Sequence, residues 1–153
     1  MINQKSLILD IDLRKPRFHS IFKVSCQYGL TDYLFWKSDI NQIIKTGLAP
    51  NLDMITAATL TSNSAEIVSS PKLEEYYSEI ENRYDFIFVD FPPIIAVADA
   101  GILSHFAYAT VLVVSTNQKR LDLMEHAIDT LNSMQGHFVG VLFNNFSVRN
   151  GYG

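Results

Sequence analysis

The sequence predicts an α/β protein, a parallel sheet flanked by helices. Three observations predict it. Short apolar runs of strand length, Leu7–Ile11, Phe86–Val89, Thr110–Ser115 and Phe138–Phe143, alternate with segments whose apolar residues recur at helical spacing. Two of the runs stop at aspartates, Asp10 and Asp90, where the strand ends of an open parallel sheet line a ligand crevice. The composition is globular: 48% of the 153 residues are hydrophobic and 18% charged, enough for one core and one domain over 1–153.

The elements follow in order. Along the Leu7–Ile11 strand, side chains alternate, so Leu7, Leu9 and Ile11 share one face while Ile8, Asp10 and Asp12 share the other. Pro16 ends this strand, and a short helix or turn reaches Phe22. Gly29 marks a turn. Thr31 is the expected N-cap of a short helix, Asp32–Trp36, and Asp39 that of another, Ile40–Lys45, stopped by Gly47 and Pro50. Leu52–Thr56 reads as a strand with Asp53 inside it. Thr59–Ser64 reads as a polar loop, with a helix near Ala65–Ser69. Ser70 is placed to cap a helix opening on Pro71 and running toward Arg83, with Leu73, Tyr76, Tyr77 and Ile80 on one stripe. Phe86–Val89 is a buried strand. Asp99 opens a helix to Phe106. Thr110–Ser115, β-branched at its centre, is expected to be buried on both faces. Leu121–Met134 is an amphipathic helix ended by Gly136, and Phe138–Phe143 the last strand.

Asp10, Asp12 and Asp90 are the residues with the clearest chemistry. Carboxylates gathered at one rim repel one another and lose solvation, a cost that a cation removes. Three of them suit a hard, oxygen-liganded ion, Mg²⁺ carrying nucleotide phosphates. The plainer alternative is that these aspartates cap turns, or in the case of Asp90 precede the Pro92–Pro93 turn. Arg14, Lys15 and Arg17 lie beside them, either as a solvated loop or as contacts to phosphate or a neighbouring subunit. His19, His105, His126 and His137 have no metal-ligand spacing, and the single Cys26, read as an ordinary small buried or half-buried side chain, excludes an internal disulfide. A net charge of −4 argues against general nucleic-acid binding. The chain shows no export signal and no apolar run of about 18 residues, so a cytoplasmic location is expected, with any membrane association made through a partner.

LILDIDLRKPRFH resembles the second acidic motif (Walker A′) of the bacterial protein-tyrosine kinases of capsule and exopolysaccharide systems, and FIFVDFPP resembles their Walker B strand. GLTDYL, NLDMITA, NSAEIVSSPKLEE and the closing VGVLFNN and VRNGYG fall in that family's order. The resemblance implies a phosphate-loop NTPase fold of the MinD/ParA kind, with ATP and Mg²⁺ as cofactors and protein tyrosine as substrate. It implies that Asp10 and Asp90 ligate Mg²⁺ and that Asp10, Asp12 and Asp90 serve catalysis. Asp12 and Arg14 fall near the phosphates and Asn144 toward the adenine, an asparagine that could equally hold its own loop. Tyr152 corresponds to the start of a phosphorylated C-terminal cluster. Implied partners are other copies of the chain or a membrane polysaccharide co-polymerase.

One departure stands out. Relatives carry a strand, a Gly-rich loop and a helix before the stretch where this sequence starts, and GxxxxGKS or GxxxxGKT occurs nowhere in it. Lys5–Ser6 opens a strand with no glycine before it, so it is not the end of such a loop. The expectation is weak ATP binding and little activity for the chain by itself, and two strand edges left open, unless Phe86–Val89 pairs directly with Thr110–Ser115 or another chain supplies a strand. The competing functional readings are a non-catalytic paralogue that binds a kinase or a co-polymerase, and a ParA/MinD-like ATPase fragment.

Overall fold

Apolar strands that end in aspartate dictate the first sheet. In the computed structural model, which describes residues 3–36, 38–58, 71–96, 107–115, 121–133 and 137–145, the chain divides into two compact units, Met1–Pro93 and Ile94–Gly153. The first unit contains β1 (Ser6–Asp10), α1 (Phe18–Ile21), α2 (Leu30–Trp36), α3 (Ile40–Ile43), β2 (Ile44–Ala49), β3 (Leu52–Ile55), α4 (Pro71–Ile80), a 3₁₀ turn (Glu81–Arg83) and β4 (Phe86–Asp90). Its sheet runs β2-β3-β1-β4, with β1 parallel to both neighbours and β2 antiparallel at the edge. The second unit contains a 3₁₀ turn (Ile94–Ala96), β5 (Thr110–Ser115), α5 (Leu121–Ser133) and β6 (Phe138–Asn144), with β5 and β6 parallel.

The core of the first unit collects the residues the alternation assigns to one face. Leu7, Leu9 and Ile55 of the strands are sealed from solvent, as are Leu30 of α2, Ile43 of α3, and Tyr76 and Ile80 of α4. Each such aliphatic side chain contributes about 1.5–3 kcal/mol by leaving water. The starts of the strands are tied together by polar contacts. Lys5 and Asp85 exchange backbone and side-chain hydrogen bonds, and Asp53, inside β3, accepts from the Tyr84 hydroxyl at 2.9 Å and faces Lys5 Nζ at 3.4 Å. That pairing is what lets a carboxylate sit inside a buried strand.

Several expectations change. The segment after Asp39 is not one helix. Asp39 does cap α3, accepting from the Asn41 amide at 2.7 Å, but the helix stops at Ile43 and β2 follows, because Pro50–Asn51, with Asn51 at φ +61°, turns the chain back along β3. Thr31 lies inside α2 rather than capping it, and its hydroxyl instead donates to the Ala57 carbonyl at 3.0 Å. Asp32 caps the helix start by accepting from the Gly29 amide at 2.9 Å. Thr110–Ser115 is not buried on both faces: Val111 and Val113 are exposed, as are Phe86 and Phe88 of β4. Phe86–Asp90 lies in the sheet of the first unit and Thr110–Ser115 in that of the second. Cys26 is free and exposed rather than buried or half-buried. The loop Thr59–Ser64, the helices near Ala65–Ser69 and Asp99–Phe106, and the residues Ser70, Gly136 and Tyr152 lie outside the described residues.

Candidate active site

The site forms where β1 and β4 end together. Their parallel register runs from Ser6 beside Phe86 to Asp10 beside Asp90, which sets the two aspartates on neighbouring strands at the carboxyl edge of the sheet. Adjacent strands lie about 4.8 Å apart, a separation that two or three side-chain atoms span. Asp10 is fully buried. One of its oxygens, Oδ1, accepts from the Asp12 backbone amide at 3.1 Å, whereas Oδ2 makes no hydrogen bond among the described residues. Burial pushes the Asp10 carboxyl up to about 6, against the backbone amides of Asp12 and Phe18, which favour the charged form; the Asp90 and Asp12 charges push it further in the same direction. Asp90 is also pushed above the ordinary carboxylate value, by partial desolvation and then by the Asp12 charge.

Asp12 stands near both but does different work. Its Oδ1 accepts from the backbone amides of Arg14 at 3.2 Å and Lys15 at 2.9 Å, so it shapes the loop that leaves β1. Among the described residues no group of three or more His, Cys, Asp or Glu side chains is set to hold a metal ion. Asp12 Oδ1 is committed to these backbone amides, while Asp10 and Asp90 stand beside each other at the strand ends. Asn144 lies in the second unit at the end of β6, and its Oδ1 accepts from the next residue's amide at 2.9 Å.

A third strand reaches the same rim. Leu9 pairs with Ile55, the last residue of β3, and Asp10 and Thr56 are the residues that follow this pair on the two strands. Thr56 was not singled out in the sequence; only its place as the last residue of an apolar run hinted at it. A mostly apolar groove of about 410 Å³ is lined by Ser6, Ile8, Phe18, Leu52, Phe88, Val89 and, of the two carboxylates, Asp90.

No family model matches the chain. Known proteins do. Tyrosine-protein kinase YwqD of Bacillus subtilis is 35% identical over 92% of this chain and 60% of its own length. The solved kinase domain of VpsO superposes with a TM-score of 0.87 at 30% identity, over 94% of this chain and 71% of that one. The chain belongs to the bacterial tyrosine-protein kinase family. MinD of Pyrococcus horikoshii, solved with Mg-ADP, shares the fold at a TM-score of 0.75 and 18% identity, over 97% of this chain and 60% of that one. The chain spans about three fifths of YwqD, so it covers part of a kinase of this family.

Membership in a kinase family with a MinD-like fold implies a nucleotide and a metal, and the residues present fit them. A buried carboxylate oxygen without a hydrogen bond, beside a second carboxylate and with its proton affinity raised, is an acceptor prepared for a cation. Mg²⁺ is commonly held by one or two carboxylates plus waters and substrate phosphates, so a pair of aspartates suffices. No helix among the described residues is long and apolar enough to cross a membrane.

Proposed function

We propose that the chain is the carboxylate-bearing part of a protein-tyrosine autokinase domain that uses Mg²⁺-ATP and regulates the synthesis and export of capsular or exopolysaccharide. The observation that carries this reading is the Asp10–Asp90 pair at the ends of two parallel strands, with Asp10 Oδ2 buried and unbonded. In this reading the whole of 1–153 is one partial kinase domain. Asp10 and Asp90 hold the cation, Asp90 through water, and Asp10 is in range to accept the proton of an attacking tyrosine hydroxyl. Asp12 fixes the loop so that it and Arg14 face the phosphates, Asn144 faces the adenine, and Tyr152 is a site of phosphorylation. Bound Mg²⁺ supplies neutralisation of the charge on the transferred phosphoryl group. The location is the cytoplasm, at the inner face of the membrane through a partner, either another copy of the chain or a polysaccharide co-polymerase.

The sequence holds no phosphate loop, whose backbone amides and lysine supply most of the positioning in phosphoryl transfer, so the chain by itself is expected to bind nucleotide weakly and to show little kinase activity. Calorimetric titration with Mg²⁺-ADP and Mg²⁺-ATP tests the reading. The expected result is millimolar binding that disappears in Asp10→Asn. No heat, or heat unaffected by Asp10→Asn, overturns the cation-nucleotide site and favours a non-catalytic paralogue.

A further inference from the structure

Thr56 carries a second polar atom at the same rim that the protein leaves unused. The residue is 1% exposed, and its Oγ1 makes no hydrogen bond among the described residues. An unsatisfied buried hydroxyl is a standing cost to the folded chain. Thr56 follows Ile55 as Asp10 follows its partner Leu9, and Asp10 Oδ2 is likewise unbonded, so this donor and this acceptor do not satisfy each other.

The backbone around Thr56 is, by contrast, held firmly. Its carbonyl accepts from the Leu30 amide at 2.9 Å, and the next carbonyl, of Ala57, accepts from the Thr31 hydroxyl at 3.0 Å and the Thr31 amide at 3.3 Å. Gly29 packs so closely on the Thr56 carbonyl and on Ala58 that a Cβ there has no room. A hydroxyl kept without a partner on a backbone fixed this tightly is pre-organised for something outside the chain.

We propose that Thr56 is a nucleotide-positioning residue of this site, its hydroxyl donating to an anionic phosphate oxygen of the Mg²⁺-nucleotide that Asp10 and Asp90 hold. The inference rests on the nucleotide reading above. It explains why a hydroxyl is retained where valine, of the same shape, would fill the space without an orphaned donor. Ionised carboxylates can coordinate the cation and accept from its waters but cannot donate to phosphate; Thr56 adds the missing donor.

The test compares wild type, Thr56→Val, Thr56→Ser and Asp10→Asn by Mg²⁺-ADP calorimetry and by the Tm of the nucleotide-free protein. The proposal expects Thr56→Val to bind Mg²⁺-ADP about tenfold more weakly while its nucleotide-free Tm stays level or rises, with Thr56→Ser close to wild type in affinity. Unchanged affinity in Thr56→Val overturns it. So does a lower nucleotide-free Tm in Thr56→Val, which assigns the hydroxyl a structural bond. If wild type binds, Asp10→Asn does not, and Thr56→Val binds like wild type, only Thr56 is misassigned. If wild type shows no binding, both this inference and the nucleotide reading fall.

Discussion

Tyr76 shows how a single atom can be at odds with a well-filled core. Its ring is fully buried, edge-on to Tyr33 at 5.4 Å and to Tyr77 at 5.8 Å, yet its hydroxyl makes no hydrogen bond among the described residues. Burial drives its ionisation well above the ordinary tyrosine value. Removing the oxygen costs no bond and relieves a desolvated donor. Tyr76→Phe is therefore expected to leave stability unchanged or raise it by about 0.5–1 kcal/mol, measured by urea unfolding. Tyr84 is the contrast. It is a buried tyrosine whose hydroxyl is used, on Asp53, and Tyr84→Phe leaves that carboxylate with Lys5 alone, at a cost of about 1–3 kcal/mol in the same assay. The helical stripe located Tyr76 in the core from sequence. Nothing in the sequence distinguished the two hydroxyls, because their partners are set by residues far apart in the chain.

At the scale of the element, the junction of α2 with the end of β3 decides how the site is built. Gly29 precedes the helix and lies against the Thr56 carbonyl and the Ala58 backbone and side chain. Gly29→Ala forces these apart, and because the obstacle is backbone it cannot swing away. The variant is expected to lose about 2 kcal/mol or more of stability and to weaken Mg²⁺-ADP binding together with it, since the strand end carrying Thr56 shifts. Unfolding midpoint and calorimetry on one preparation check both. The sequence placed Gly29 at a turn but assigned the wrong cap: Thr31 satisfies the Ala57 carbonyl past the end of β3, and Asp32 closes the helix start. Local propensity ranks threonine and aspartate alike as caps, and only the neighbouring strand breaks the tie. The same competition hid β2. Ile40–Lys45 carries helical signals, yet the hairpin at Pro50–Asn51 draws Ile44–Ala49 into antiparallel pairing with β3.

For the whole molecule, the raised carboxyl of Asp10 becomes a dependence of stability on pH. Its value in the folded protein, about 6, lies above the ordinary 3.8, so between those values the folded chain binds more protons than the unfolded one. Stability then falls as pH rises through about 4 to 6, and what is lost at neutral pH is the cost of a buried charge without a counter-ion. Asp90 adds in the same direction. Thermal unfolding of the nucleotide-free protein should give a higher Tm near pH 4.5 than near pH 7 for this contribution, and Asp10→Asn should flatten the profile while raising Tm at pH 7. An unaltered profile in Asp10→Asn would show that Asp10 is not the group responsible. The sequence by itself determined the fold class, the run of parallel strands, the core face of β1 and the aspartates at two strand ends, because period-2 alternation and strand-terminal carboxylates are local patterns that the chain cannot express in many ways. Only the tertiary structure decided which carboxylates stand together and which polar atoms go unpaired. It turned Asp12 Oδ1 to backbone amides, set Asp10 against Asp90, and left the Thr56 hydroxyl unpaired just past β3, because register between strands distant in sequence, rather than spacing along the chain, determines what each side chain meets.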